Sequence, residues 1–241
     1  FTPKSPYKWA DGTTTAKTVN WTIGRAGITL PTQSGSLTYT GAAQSPSWSG
    51  YDSNKMTLGG TTSGTNAGSY NASFTPKANY QWTDGTTSAK TAAWSIGKAA
   101  GSLTLSKSSV SIGVSSKTDT VTVTRPGDGA ITATSNNSTI ATASVSGTTI
   151  TITAKASGST TITVKVAAGT NYTAPANKTI NVTVQMLSPT LANNTWAQIA
   201  AASEAGVAAS TWSVGDTKNI TVGGETLTVE IVGFNHDDLA S

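Results

Sequence analysis

A near copy of one 26-residue stretch occurs twice in this chain. Residues 1–26 read FTPKSPYKWADGTTTAKTVNWTIGRA and residues 74–99 read FTPKANYQWTDGTTSAKTAAWSIGKA, with 17 of 26 positions identical at an offset of 73 residues. A repeat of that period is typical of arrays of small modules. The first copy matches only the last third of the unit that spans residues 27–99. We therefore expect residues 1–26 to be the closing hairpin of a truncated repeat, and residues 27–99 to be one complete repeat.

Each copy carries two pairs of large apolar residues at the spacing of a β-strand. Residues two apart lie on the same face of a strand, and the pairs of the second copy are Tyr80 with Trp82 and Trp94 with Ile96. Asp84-Gly85 lies between them and is a turn signal. The pattern predicts a hairpin whose aromatic residues form a cluster across its strands, and the same hairpin in the first copy.

The rest of the complete repeat consists of short strand candidates separated by Gly, Pro, Asn and Ser. Short strands with turn signals every 8 to 12 residues are typical of a β-sandwich. The candidates are residues 27–30, 36–39, 55–58 and 68–74.

Residues 100–185 have a different sequence pattern, in which Val or Ile alternates with Thr. Such alternation over four to eight residues predicts strands with one buried face. Ile162 is expected to face the core and Thr161 the solvent. The predicted strands are residues 121–124, 149–153, 161–166 and 180–184.

Two family resemblances follow from these segments. The elements LTYTG, SYNASFTP and Y-x-W-x-DGT in residues 1–99 resemble the tandem bacterial surface modules called MBG-type domains. LTLSKSSVSI, STIATASV and an A-x-G-x-T-x-I-x-V core resemble a bacterial Ig-like domain of group 2, as in invasin and intimin. The resemblance implies Ig-like spacers of bacterial adhesins, surface glycosidases or phage virion proteins, and an extracellular location. The core residues are Ala156, Gly158, Thr160, Ile162 and Val164.

The last segment, residues 186–241, combines a helix with a hairpin. Thr195 can cap a helix and Gln198 completes a capping box, while Gly206 is a helix stop. The expected apolar stripe is Trp196, Ile199, Ala200, Ser203 and Val207. Two alternating strands, 220–222 and 227–231, flank Gly223-Gly224.

The predicted fold class is therefore all-β. It consists of tandem Ig-like β-sandwich domains, with a small α+β start of a further domain at the C-terminus. The predicted divisions are residues 1–26, 27–99, 100–185 and 186–241.

Charge and composition exclude several function classes. Residues 1–185 hold 14 Lys and Arg against 5 acids, whereas residues 186–241 hold Lys218 against 6 acids. The lysines are scattered singly among Thr and Ser, which argues against a nucleic-acid partner. No cysteine is present, so no disulfide framework forms. No apolar run approaches the roughly 18 residues of a membrane span.

The sequence contains no recognisable set of catalytic residues. His236 beside Asp237 and Asp238 is the only histidine, and we interpret this stretch as a polar turn, because neither a second imidazole nor a nucleophile motif accompanies it. We expect no enzyme activity, no metal and no cofactor. Most of the seven tryptophans recur at matched repeat positions, as core residues do. Trp48, in the loop-like stretch 45–50, is the best exposed ligand candidate, and the ligand-binding residues are otherwise unknown.

These observations predict a non-catalytic structural and adhesive spacer of a bacterial surface protein or a phage virion protein, presenting a distal binding domain. The expected partners are a host-cell surface glycan or protein, or other virion or envelope subunits. Because the acidic segment from residue 186 is neither repeated nor Ig-like, we expect recognition to reside there. The alternative is a set of accessory Ig-like modules, carbohydrate-binding ones included, of a secreted carbohydrate-active enzyme.

Overall fold

The computed structural model of the chain describes residues 1–234, so that His236, Asp237 and Asp238 lie outside the described residues. The chain divides into two compact units, Phe1–Gly97 and the remainder from Lys98. The predicted all-β class is confirmed, because strands dominate both units and, within residues 1–234, helices occur only between Leu191 and Thr211. The four-part division predicted from the sequence stays a prediction.

The first unit contains eight short strands. They are β1 (Ala26–Ile28), β2 (Thr32–Ser34), β3 (Leu37–Thr38), β4 (Ser47–Ser49), β5 (Met56–Gly60), β6 (Gly68–Pro76), β7 (Tyr80–Trp82) and β8 (Lys90–Gly97). A four-stranded sheet has the order β3-β8-β6-β5, with β3 parallel to β8. Two further pairs, β2-β4 and β1-β7, cover its inner face.

The core of this unit is aromatic. From Thr91 to Gly97 of β8 the odd-numbered residues are exposed and the even-numbered ones buried, which is the period-2 pattern of a strand with one face on the core. Trp94 and Ile96 from β8 meet Phe74 from β6 and Trp82 from β7 in one cluster. The prediction that Trp82, Trp94 and Ile96 belong to the core is therefore confirmed, whereas Tyr80 is only half-buried.

The predicted hairpin pairing is wrong in both copies. In the second copy, β7 pairs in parallel with β1, and β8 pairs with β6 and β3. The chain crosses from one sheet to the other at Asp84-Gly85, so Trp82 and Trp94 meet across the core instead of across a ladder. In the first copy, residues 1–25 form turns and no strand. Counterparts of β3 and β6 do not lie beside them, and a strand needs such partners for its backbone hydrogen bonds.

The second unit begins with an eight-stranded sandwich. Its strands are β9 (Thr104–Leu105), β10 (Ser109–Ile112), β11 (Thr118–Thr124), β12 (Ile131–Ser135), β13 (Ala141–Ser146), β14 (Thr149–Ala154), β15 (Gly158–Val166) and β16 (Lys178–Val184). The two sheets have the orders β9-β11-β14-β13 and β10-β16-β15-β12. In chain order these are the A-B-E-D sheet of an immunoglobulin fold and its C-F-G sheet, extended by β10 parallel to β16.

Alternation of Val or Ile with Thr produces this sandwich directly. Along β16 the burial alternates, and the apolar residues of both sheets form one cluster. Ile162 and Val164 are fully buried, as the A-x-G-x-T-x-I-x-V core predicts. Gly158 opens β15 with a positive φ, and a Cβ there would meet the Ile140 side chain at 3.0 Å. This close approach explains why the motif has glycine at that position.

Residues 186–234 form the predicted helix and hairpin. Helix α1 (Trp196–Glu204) begins at the Thr195–Gln198 capping box, and Gly206 follows its end with φ 68°. A second short helix, α2 (Ala208–Thr211), precedes β17 (Thr217–Val222) and β18 (Glu225–Glu230), which pair around Gly223-Gly224. The predicted apolar stripe is only partly correct, since Ala202 is the fully buried residue of α1 while Ala200 and Ser203 are exposed.

Candidate functional site

The tryptophans of the complete repeat are core residues. Trp82 and Trp94 are 1% and 2% exposed. The Trp82 indole donates to the Ser88 carbonyl at 2.8 Å, and the Trp94 indole donates to the Thr61 carbonyl at 2.7 Å. Trp94 also stacks on Tyr70 with ring centroids 4.5 Å apart. Because both polar ends are satisfied inside the unit, neither ring is available to a ligand.

Trp48 is not an exposed loop residue, which corrects the sequence interpretation. It lies in β4, opposite Gln33 of β2. Its ring is half-buried and meets Phe74 edge to face at a centroid distance of 4.9 Å. The Gly- and Ser-rich flanks suggested a loop, but the two-stranded β2-β4 pair places this ring against the core. Trp48 is therefore removed from the ligand candidates.

A compact turn follows Trp82 and is held by its own side chains. The Asp84 carboxylate accepts hydrogen bonds from the backbone N–H of Thr86 at 3.0 Å and from its hydroxyl at 2.6 Å, and it also pairs with Lys90. The Lys90 ammonium, then the Thr86 hydroxyl and N–H, hold the pKa of Asp84 well below its usual range. The Lys90 ammonium also lies 5.6 Å from the centre of the Trp82 ring.

The same turn forms in the first copy. Asp11 accepts from the N–H and the hydroxyl of Thr13 and pairs with Lys17, which lies 5.5 Å from the Trp9 ring centre. The Trp9 indole donates to the Thr15 carbonyl at 2.8 Å, as Trp82 does to Ser88. The sequence signal for the turn was Asp-Gly alone. The structure shows that the motif extends from the tryptophan to the lysine eight residues later.

The C-terminal segment carries an exposed tryptophan beside an apolar groove. Trp196, at the start of α1, is 44% exposed, and the Lys218 ammonium lies 5.4 Å from the centre of its ring. Beside it, a groove of about 360 Å³ separates α1 from the hairpin. Its lining is almost entirely apolar and consists of Leu191, Trp196, Ile199, Ile220, Val229, Glu230 and Ile231.

The linker that carries this segment is fixed in place. Asn194 is buried, and its amide donates to the carbonyls of Ser188 and Thr190 while its oxygen accepts from the Ser188 N–H. The Trp212 indole donates to the same Ser188 carbonyl at 3.0 Å. Val114 of the Ig-like domain packs against the small core around Trp212. The segment that forms the groove is therefore held in place by specific hydrogen bonds and packing contacts.

No group of three or more His, Cys, Asp or Glu that could hold a metal occurs within residues 1–234. Among those residues, no helix combines the length and apolar character that crossing a membrane requires.

No family model and no curated protein matches the chain. Among solved structures, the chain is similar to surface layer protein SbsC, domains 1–6, at 19% identity over 73% of this chain and 28% of that one, with a TM-score of 0.33. A structure of SbsC domains 4 and 5 matches at 16% identity over 64% of this chain and 96% of that one, with a TM-score of 0.32.

The fibronectin(III)-like modules of Clostridium thermocellum CbhA match at 13% identity over 67% of this chain and 91% of that one, with a TM-score of 0.29. The chain thus spans just over a quarter of the SbsC structure of domains 1–6. At such low identities and TM-scores these likenesses carry no functional argument. The Ig-like assignment rests on the strand order of the second unit itself.

Proposed function

We propose that this chain is a non-catalytic structural and adhesive part of a bacterial surface protein or a phage virion protein. Its Ig-like modules act as spacers that set the reach and orientation of the domain that begins at residue 186. The observation that carries the proposal is that the large apolar side chains of the complete repeat and of the Ig-like domain are buried in two separate cores. They are therefore not available to bind a ligand.

The residues at which successive modules begin support the same proposal. Ile23-Gly24-Arg25-Ala26 and Ile96-Gly97-Lys98-Ala99 are near copies that each lead into a new module. Ala26 then pairs in parallel with Tyr80, and Ala99 pairs in parallel with Tyr172. Modules that begin in the same way are typical of an array of successive repeats.

We place partner recognition in the C-terminal segment. Trp196 and its apolar groove offer an exposed aromatic anchor, and such anchors dominate binding energy at interfaces. The expected partners are a host-cell surface glycan or protein, or another subunit of the envelope or virion.

The test compares the full chain with residues 1–185 in a glycan array and in a pull-down from host-cell surface extracts. Binding by the full chain and none by residues 1–185 supports the proposal. A Trp196→Ala variant should lose binding. The matched control is Val222→Ala, which changes another exposed apolar residue of the same segment outside the groove. Binding by residues 1–185 would overturn the placement of recognition in the C-terminal segment.

A further inference from the structure

One edge of the Ig-like domain is an unprotected β-strand. Strand β12 is the outermost strand of the β10-β16-β15-β12 sheet, and its sequence is ITATS. Edge strands pair readily with another chain, and proteins commonly protect them with lysine, proline, a bulge or a very short strand. β12 contains no charged residue and no proline, and it pairs with β15 in an unbroken register over its five residues. This edge is therefore open to a further strand.

Every second residue of β12 turns its backbone groups towards the open edge. The Asn136 N–H donates to the Thr161 carbonyl at 2.9 Å, in the register that joins β12 to β15. In an antiparallel ladder such bonds alternate, so the even-numbered residues of β12 bond to β15. The N–H and C=O groups of Ile131, Ala133 and Ser135 therefore point outward, and no strand in the described part of the chain lies beside them.

Two core side chains are left partly uncovered at the same edge. Ile131 and Ala133 pack against the core of the Ig-like domain but are only half-buried, whereas Ile162 and Val164 of the neighbouring β15 are fully buried. A strand beside β12 would accept and donate the outward backbone hydrogen bonds and would cover these two side chains as well.

We infer that β12 pairs with β12 of a second copy of this chain, antiparallel and around a two-fold axis at Ala133. Ile131 of one copy then lies opposite Ser135 of the other, and Thr132 lies opposite Thr134. Each outward residue exchanges both backbone hydrogen bonds with the residue opposite it, and the two sheets continue into each other. This inference goes beyond the proposed spacer function and does not depend on the C-terminal segment.

Self-complementarity favours a second copy as the partner. The same edge faces itself in a two-fold contact, and the two Thr132–Thr134 pairs on the outer face are favourable cross-strand pairs. The positive charge nearby is not an obstacle. Lys165 lies opposite Thr132 on β15, so three strand spacings, about 14 Å, separate the two copies of Lys165. That distance exceeds the screening length of about 8 Å at physiological ionic strength.

The contact is small, so the pairing is weak. A strand of five residues is about 17 Å long, and its edge offers less area than the about 800 Å² per partner of a standard interface. We therefore expect a monomer at about 10 µM and a dimer at about 1 mM.

The direct test measures sedimentation velocity and amide hydrogen exchange of the full chain at these two concentrations. The amides of Ile131, Ala133 and Ser135 should exchange at least about twofold more slowly at the higher concentration, because they become hydrogen-bonded in the dimer. The amides of Thr132 and Thr134 are the internal reference, since they are bonded to β15 in both states and should not change.

Two double variants test the register. Thr132 and Thr134 are exposed, and each faces the other across the two-fold axis. Thr132→Glu with Thr134→Glu places like charges opposite each other, whereas Thr132→Glu with Thr134→Lys places opposite charges there. The second variant should dimerise at least about tenfold more tightly than the first. The matched control is Thr183→Glu, at an exposed position of the inner strand β16, which should dimerise like the unmodified chain.

The exchange of the β16 amides reports whether each variant is folded, so that a loss of pairing is distinguished from unfolding. If a double variant unfolds, the concentration dependence of the unmodified chain decides the question. A chain that stays monomeric at about 1 mM, exchange at Ala133 that does not slow with concentration, or equal dissociation constants for the two folded double variants would overturn the inference.

Discussion

Replacing Ile162 by alanine tests the Ig-like domain at the centre of its core. Ile162 lies in the middle of β15, between Ser135 of β12 and Ile180 of β16, and is 0% exposed. Because strands surround it on both edges and the opposite sheet covers its face, the site has little room to collapse around a smaller side chain.

The expected loss is large relative to the stability of the domain. Truncating a buried isoleucine to alanine costs about 2–5 kcal/mol. At about 0.05–0.15 kcal/mol per residue, a domain spanning residues 100–185 has a total stability of roughly 4–13 kcal/mol. Ile162→Val should cost only about 1 kcal/mol. Ile162→Asp should unfold the domain, because it places a carboxylate without a partner in the sandwich core.

The assay must report on this domain alone. All seven tryptophans lie outside residues 100–185, so tryptophan fluorescence does not follow its unfolding. Native-state hydrogen exchange of the β15 and β16 amides, by contrast, does follow the unfolding of this domain. Since each 1.4 kcal/mol is a factor of ten, Ile162→Ala should speed exchange about 30-fold to several thousandfold. Amides of β6 and β8 in the first unit are the internal reference and should not change.

The control is a residue on the outer face of the same sheet. Thr161 is the neighbouring outward position, but its hydroxyl accepts a hydrogen bond from the Asn136 amide at 2.7 Å, so it is not neutral. Thr183 of β16 is exposed and is the better control. If Thr183→Ala speeds exchange as much as Ile162→Ala, or if Ile162→Ala has no effect, the assignment of the core from alternation is refuted.

Four further predictions concern other parts of the chain. Trp94→Phe removes the indole hydrogen bond to Thr61 and should cost the first unit about 1–3 kcal/mol, measured as faster exchange of the β6 amides. Asn194→Ala leaves the backbone groups of Ser188 without their partner and should speed exchange at residues 188–191 while β15 stays protected. Folding lowers the pKa of Asp84, so its carboxylate contributes its full stabilisation of the fold above the unfolded pKa of about 4. This stabilisation is lost progressively as the pH falls from that value towards the lower folded pKa. Asp84→Asn should therefore reduce the decrease in the Tm of the first unit between pH 7 and pH 3, and an unchanged decrease would contradict this cause. A chelator should leave the Tm of the whole chain unchanged, and a shift of several degrees would reveal a metal site that the sequence did not indicate.

Secondary structure could be predicted from the sequence wherever the signal is local. Alternation of Val or Ile with Thr predicted β11, β14, β15 and β16, because the burial of a strand has a period of two residues. The capping box at Thr195 and the Gly223-Gly224 turn predicted α1 and the final hairpin for similar reasons. In each case the residues that decide the structure lie within a few positions of one another.

Strand pairing and the burial of individual aromatic rings, by contrast, depend on contacts between distant parts of the chain. A local pattern shows that a segment has an apolar face, but the partner of that face lies far along the chain. For this reason β7 pairs with β1 instead of β8, and Trp48 packs on Phe74 although its flanks resemble a loop.

Trp21 and Trp94 show most directly that local sequence does not determine the burial of a side chain. They occupy identical positions in near-identical stretches, yet one is 74% exposed and the other 2%. Local sequence made the same turn in both copies, because all of its hydrogen bonds lie within nine residues. Burial differed because β8 has β3 and β6 beside it, whereas residues 17–24 have no strand beside them, and a strand becomes part of a core only when other strands supply its hydrogen bonds and cover its face.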